Sequence, residues 1–159
     1  MRIRAARDDE AALLDSIALE AKAYWNYSPA DMAAWRDGLV VRFAPPERRP
    51  TFVAEDGGTV SGFCQLDLAG SVPALEHLWV RPACMGRGVG RALLERASAA
   101  LTELGYTRMH IDADPNAEAF YCHCGAIRQG VVAAPIAGDP GRVRPQLILV
   151  LAPQAPPSP

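Results

Sequence analysis

Gly86-Arg87-Gly88-Val89-Gly90 sets three glycines at alternate positions between a β-prone run and a strongly periodic helical run. Backbone N–H groups in such a loop, with the first turn of the helix behind it, can converge on one anion, and the missing Cβ atoms let ligand oxygens reach them. The chemistry indicated is a phosphate or pyrophosphate cradle, with Arg87 and Arg91 adding positive charge. Two other phosphate loops are disfavoured. A Walker loop needs Gly-x-x-x-x-Gly-Lys-Ser/Thr, which the chain lacks. A dinucleotide fingerprint needs Gly-x-Gly-x-x-Gly, but here the third glycine comes one place early and Arg91 follows it.

Further reactive types lie on either side of this loop. Glu76 and His77 precede Leu78-Trp79-Val80, and Asn116 precedes Phe120-Tyr121-Cys122-His123-Cys124. Tyr24-Trp25-Asn26-Tyr27 puts three aromatics in four residues, which suits a cap over an amine or a ring and equally a satellite core beneath a loop. Cys122-x-Cys124 has one intervening residue where zinc ligands are usually spaced by two to four, with only His123 beside it, so no metal is expected. A thiol-based redox pair would rest on that spacing alone.

The elements that must position these groups follow from periodicity. Arg2 to Ala5 reads as a strand, and Asp8 or Asp9 is placed to cap a helix carrying Leu13, Leu14, Ile17, Ala18 and Ala21 on one stripe. Ser28 before Pro29 predicts a second helix running toward Leu39, with Met32 and Trp35 on one face and Trp35 in the core, which Pro45-Pro46 must end. Thr51 to Ala54 and Val60 to Leu68 form a hairpin about Gly57-Gly58, and Ala74 to Val80 forms the next strand. Arg91 to Leu104 is a helix stopped by Gly105. A strand over Met109 to Ile111, a short helix over Pro115 to Cys122 closed by Gly125, and strands over Ile127 to Ala133 and Gln146 to Leu151 complete the order. That order predicts an α+β fold, a central mixed sheet with helices on both faces. Residues 1–151 form one domain, and Ala152 to Pro159, with four prolines, is expected to be a disordered tail.

Sixteen Lys plus Arg against eighteen Asp plus Glu leaves a net charge of −2 and no clustered basic run, which excludes nucleic acid as the expected partner. The N-terminus, Met1-Arg2-Ile3-Arg4-Ala5-Ala6-Arg7-Asp8, lacks the apolar stretch of a secretory peptide, and no apolar run approaches the ~18 residues of a spanning helix. A cytoplasmic protein without a membrane partner is expected, its four cysteines reduced.

Leu78-Trp79-Val80-Arg81-Pro82, then Met85-Gly86-Arg87-Gly88-Val89-Gly90 and Ala92-Leu93-Leu94, resembles the acyl-CoA-binding motif of the GNAT superfamily of acetyl-CoA-dependent N-acetyltransferases. Downstream, Asn116-Ala117-Glu118-Ala119-Phe120-Tyr121-Cys122-His123-Cys124-Gly125-Ala126 is similar to the family's Asn-x-x-Ala-x-x-Phe-Tyr-x-x-x-Gly-Phe segment, compressed before Phe120. Element order agrees from Arg2 to Leu151. The chain departs from the pattern at Met85, where the family has Gln or Arg, and at Ala126, where it has Phe.

The resemblance implies a three-layer αβα fold with a mostly antiparallel sheet, and acetyl-CoA as co-substrate with no metal. It implies that Leu78, Trp79 and Val80 pair with the pantetheine arm and that a backbone N–H near Val80 polarises the thioester. Met85 to Arg91 take the pyrophosphate, and Asn116 and Phe120 line the arm. Tyr121 protonates the leaving thiolate, a pairing that suits a phenol of pKa ~10. Glu76, two residues before Leu78 and so placed on the same strand face, is the candidate base toward the acceptor ammonium, directly or through water. Trp25 and Tyr27 fall where the family builds its acceptor wall. The implied reaction is acetyl transfer to a primary amine, on a small molecule or a peptide, by direct attack in a ternary complex. The alternative is an acyl-CoA-binding sensor without turnover. The acceptor is unspecified, and oligomeric state is open, with a homodimer among the options.

Overall fold

Val53 and Phe63 are fully buried on one face of the sheet, while their chain neighbours Phe52, Ala54, Cys64 and Leu66 are buried on the other. Alternating side chains buried on both faces require a cover on each, and the fold supplies two. The computed structural model describes residues 1–38, 41–153 and 158. Among these the order is β1 (Arg2–Ala5), α1 (Ala11–Ala23), α2 (Pro29–Gly38), β2 (Thr51–Asp56), β3 (Thr59–Asp67), β4 (Ala74–Val80), α3 (Val89–Glu103), β5 (Arg108–Asp112), α4 (Glu118–His123), β6 (Ile127–Ala133) and β7 (Val143–Val150). The sheet runs β1-β2-β3-β4-β5-β7-β6, antiparallel except between β4 and β5. Leu14, Ile17 and Ala18 of α1 cover Val53, Val60 and Phe63. Leu93, Leu94, Ala97 and Leu101 of α3 and Tyr121 of α4 share the other core with Leu66, Met109 and Leu147. The α+β reading holds, with helices on both faces and a mostly antiparallel sheet.

Local chemistry sets most boundaries. The hairpin turns on Gly57 and Gly58, at φ of +55° and +84°, and Gly105 ends α3 at +87°. Ser28 Oγ accepts the Asp31 N–H at 3.1 Å and so caps α2. Leu39 lies outside the described residues, as do 154–157 and 159 of the expected tail. Asp8 and Asp9 do not cap the first helix. They lie in a single 3-10 turn ahead of α1, and it is the Glu10 carboxylate that accepts the Arg7 N–H, at 2.8 Å. The third helix begins at Val89, two residues before the expected start at Arg91, because Gly88 takes the N-cap in a left-handed conformation.

Two irregularities shape the site. Strands β4 and β5 are in register only at Ala74 with His110 and Leu75 with Ile111; beyond them β4 runs on through Leu78 to Val80 without β5 beside it. A bulge also interrupts the β3–β4 pairing, where Gln65 faces His77 but Leu66 faces Leu75. Glu76 is the extra residue. The bulge puts Leu75, Leu78 and Val80 against the α3 core, so Glu76 does not share a face with Leu78 as strict alternation requires. It is exposed.

Candidate active site

The parting of β4 from β5 opens a cavity of about 550 Å³. One side is Leu78, Trp79 and Val80; the floor is Met85, Gly86, Gly88, Val89, Gly90 and Arg91; the far side is Asn116, Phe120 and Tyr121 with Asp114 and Cys124. Strand edge, glycine loop and short helix thus meet as the spacing of their motifs suggests. The Arg87 side chain is exposed and does not line the cavity, nor does Glu76.

The three glycines serve different purposes. Gly86 and Gly88 have φ of +74° and +80°, which turn the chain so that α3 starts with its N-terminus toward the cavity. Gly90 has an ordinary φ but lies under Phe120, where a Cβ would stand 3.2 Å from the ring. A cradle that side chains would fill, ending on a helix N-terminus, fits a diphosphate. Met85 lines it without a charge.

Tyr121 is 6% exposed, and burial pushes its phenol well above its ordinary value of 10, with Cys64 and Asp114 adding to the effect. Its proton therefore stays on at every working pH. His77 is half-buried beside Phe63, its Nδ1 accepts the Trp79 Nε1–H at 3.1 Å, and burial lowers its pKa to about 4. It is a neutral strut. His123 is exposed at the cavity rim.

A second cavity, of about 300 Å³, adjoins the first through Trp25 and Asn116 and is closed by Tyr27, Asp31, Ile136, Gly138, Asp139 and Arg142. Trp25 thus stands between the two, edge-on to Tyr24 at 4.8 Å. Trp35 is half-buried rather than core, set against Tyr27 at 4.6 Å with Lys22 Nζ 3.9 Å above its ring. The Asp31 carboxylate accepts Ser28 Oγ–H at 2.6 Å and the Ala137 N–H at 3.0 Å, tying α2 to the β6–β7 segment.

Sequence reasoning passed over Asp114. Counted back from Phe120-Tyr121 without compression, the pattern Asn-x-x-Ala-x-x-Phe-Tyr puts its Ala on Ala117 and its Asn on Asp114. Asn116 is exposed and donates through Nδ2 to Tyr27 and Asp114, whereas the Asp114 side chain is buried and lines the larger cavity. Burial pushes its carboxyl up, but the Lys22 ammonium, with bonds from Asn116 and Tyr27, outweighs burial and holds it below the ordinary carboxylate range.

Residues 14–126 match the acetyltransferase (GNAT) family model, which covers well over half of the chain. The chain belongs to that family. Solved structures of similar fold include a GCN5-related N-acetyltransferase from Rhodopseudomonas palustris, at 22% identity and a TM-score of 0.79 over 94% of this chain and 95% of that one. The ribosomal-protein-S18-alanine N-acetyltransferase of Escherichia coli is 18% identical, with a TM-score of 0.73 over 98% and 96%. YncA of Salmonella typhimurium, solved with acetyl-CoA, is 21% identical, with a TM-score of 0.72 over 99% and 98%. Among the described residues no group of three or more His, Cys, Asp or Glu is placed to hold a metal ion.

Proposed function

We propose that this GNAT chain transfers an acetyl group from acetyl-CoA to a primary amine by direct attack in a ternary complex. The observation that carries the reading is the unpaired stretch of β4 facing Tyr121 across a glycine-floored cavity. Acetyl-CoA, when bound, supplies an activated acyl carbon and a thiolate leaving group. The backbone of Leu78 to Val80 offers hydrogen bonds to the pantetheine amides, and one N–H there stabilises negative charge developing on the carbonyl oxygen. Gly86 to Gly90, Arg91 and the α3 N-terminus hold the diphosphate, and Phe120 closes over Gly90. Tyr121 keeps its proton until the thiolate forms and then gives it up.

The acceptor enters through the second cavity, past Trp25 and Tyr27. Its ammonium must lose a proton before attack. Glu76, the base that strict alternation suggests, is exposed at the bulge and lines neither cavity, so the proton passes to solvent water. The four free thiols suit a reducing, cytoplasmic setting. Release of coenzyme A from acetyl-CoA is to be followed with spermidine, an aminoglycoside and a peptide beginning with alanine. Amine-dependent release with at least one of them, giving the N-acetylated amine by mass, is expected. Binding of acetyl-CoA with no amine-dependent release would contradict transfer.

A further inference from the structure

Three segments of the wall around the second cavity converge on one carboxylate. Asp114 Oδ2 accepts from Lys22 Nζ of α1 at 2.9 Å, and both its oxygens lie within 3.1 Å of the Tyr27 hydroxyl in the α1–α2 loop. Oδ1 accepts the Asn116 N–H at 2.9 Å in the turn before α4, and Arg142 Nη2, from the β6–β7 segment, stands 3.5 Å from Oδ2. Lys22 passes the connection on to α2 through Trp35. Lys22 and Arg142 are each 7% exposed, so neither cation has water to fall back on, and removing their shared counter-ion leaves buried charge uncompensated. Asp114 also lines the larger cavity, on the same wall as Tyr121.

We propose that Asp114 is a positioning residue that couples the two cavities. It acts through Lys22, Tyr27 and Arg142, holding the acceptor wall in register with the acyl-CoA cavity, so that filling one is felt in the other. A neutral amide at this position would keep the bond from the Asn116 N–H but would hold neither cation. The identity of the two ligands rests on the acetyl-transfer reading; the wiring between the cavities does not.

The stacking of Lys22 on Trp35 provides an optical handle. Lys22 is faced by Asp114, by the Tyr27 phenol and by the guanidinium groups of Arg142 and Arg144, with burial lowering its pKa from the ordinary 10.5. Tryptophan fluorescence titrated against pH should show a step as Lys22 loses its proton, assigned by its absence in Lys22→Met. The position of the step is read, not its intensity. In the wild-type protein acetyl-CoA shifts it. In Asp114→Asn the step moves to lower pH by about one unit or more, because the attracting charge is gone, and no longer responds to acetyl-CoA. Asp114→Asn still binds acetyl-CoA by calorimetry, and its far-ultraviolet circular dichroism stays native.

If Asp114→Asn fails to fold, Tyr27→Phe serves in its place. It removes one tie, and the step should persist with a smaller response to acetyl-CoA. Calorimetric binding of acetyl-CoA with no shift in the wild-type step would overturn the coupling alone. So would an Asp114→Asn protein whose step still responds, or a native-like Asp114→Asn that has lost acetyl-CoA binding, since Asp114 would then be a direct ligand. No calorimetric binding by the wild type would overturn the acetyl-transfer reading and the coupling together.

Discussion

Burial keeps the Tyr121 phenol protonated, so a donor is present when the thiolate leaves, but it also makes that donor a weaker acid than the phenol of pKa ~10 the sequence suggests. Tyr121→Phe keeps the ring in the α4 core and removes only the proton donor. Steady-state kinetics should show kcat lowered by about 10²-fold with acetyl-CoA affinity unchanged. Since burial raises the Tyr121 pKa, the wild-type pH profile should show no fall from its ionisation up to about pH 10, the ordinary phenol value. A variant that loses acetyl-CoA binding instead would make Tyr121 a packing residue. Tyr121 was legible because an aromatic pair three residues before a Gly-closed helix end carries its own register. Asp114 was not, because a visible Asn two residues later drew the motif out of step. Only the ion pairs with Lys22 and Arg142 mark the carboxylate as the buried member.

At the scale of elements, the loop before α3 was readable from its glycines, but the division of labour among them was not. Gly88 sits at φ +80° as the N-cap of α3, a region that β-branched side chains avoid at a cost of about 1–2 kcal/mol. Gly88→Val should therefore weaken acetyl-CoA binding by at least about tenfold and lower the melting midpoint modestly. Normal affinity would mean that the loop is not the cradle. The start of α1 depends on Glu10, which is 4% exposed and bound by Arg4 at 2.7 and 3.1 Å and by the Arg7 N–H at 2.8 Å. The bond from Arg4, chiefly, lowers the Glu10 pKa from 4.5 to about 2, with burial opposing it. A depressed carboxyl stabilises the fold above its unfolded value and loses that contribution as pH falls through the folded one, here between about 4.5 and about 2. Glu10→Gln should cost about 1 kcal/mol in urea unfolding at pH 7, allowing for screening by solvent, and the gap to wild type should close toward pH 2. An equal gap at both ends would assign the loss to packing.

For the whole molecule, strand and helix order, the two covered faces and the site's location were legible because each follows from periodicity, caps and glycines within one stretch of chain. What was hidden is set between stretches. The parting of β4 from β5 depends on a two-pair register, and the exposure of Glu76 on a bulge that two-residue alternation cannot foresee. Trp35 left the core because Lys22 and Tyr27, from elsewhere in the chain, make a better-matched partner than apolar side chains. No helix among the described residues is long and apolar enough to cross a membrane. All the functional statements share one premise, that the opening between β4 and α4 receives acetyl-CoA. Thermal melting of the purified protein with acetyl-CoA, coenzyme A, NAD and ATP tests it, because a ligand bound only by the folded state raises the midpoint by mass action. Acetyl-CoA and coenzyme A at about 100 times their dissociation constants should raise it by about 5 °C or more, with NAD and ATP well below that. No rise with either at millimolar concentration would contradict the premise, and the catalytic role of Tyr121 with it.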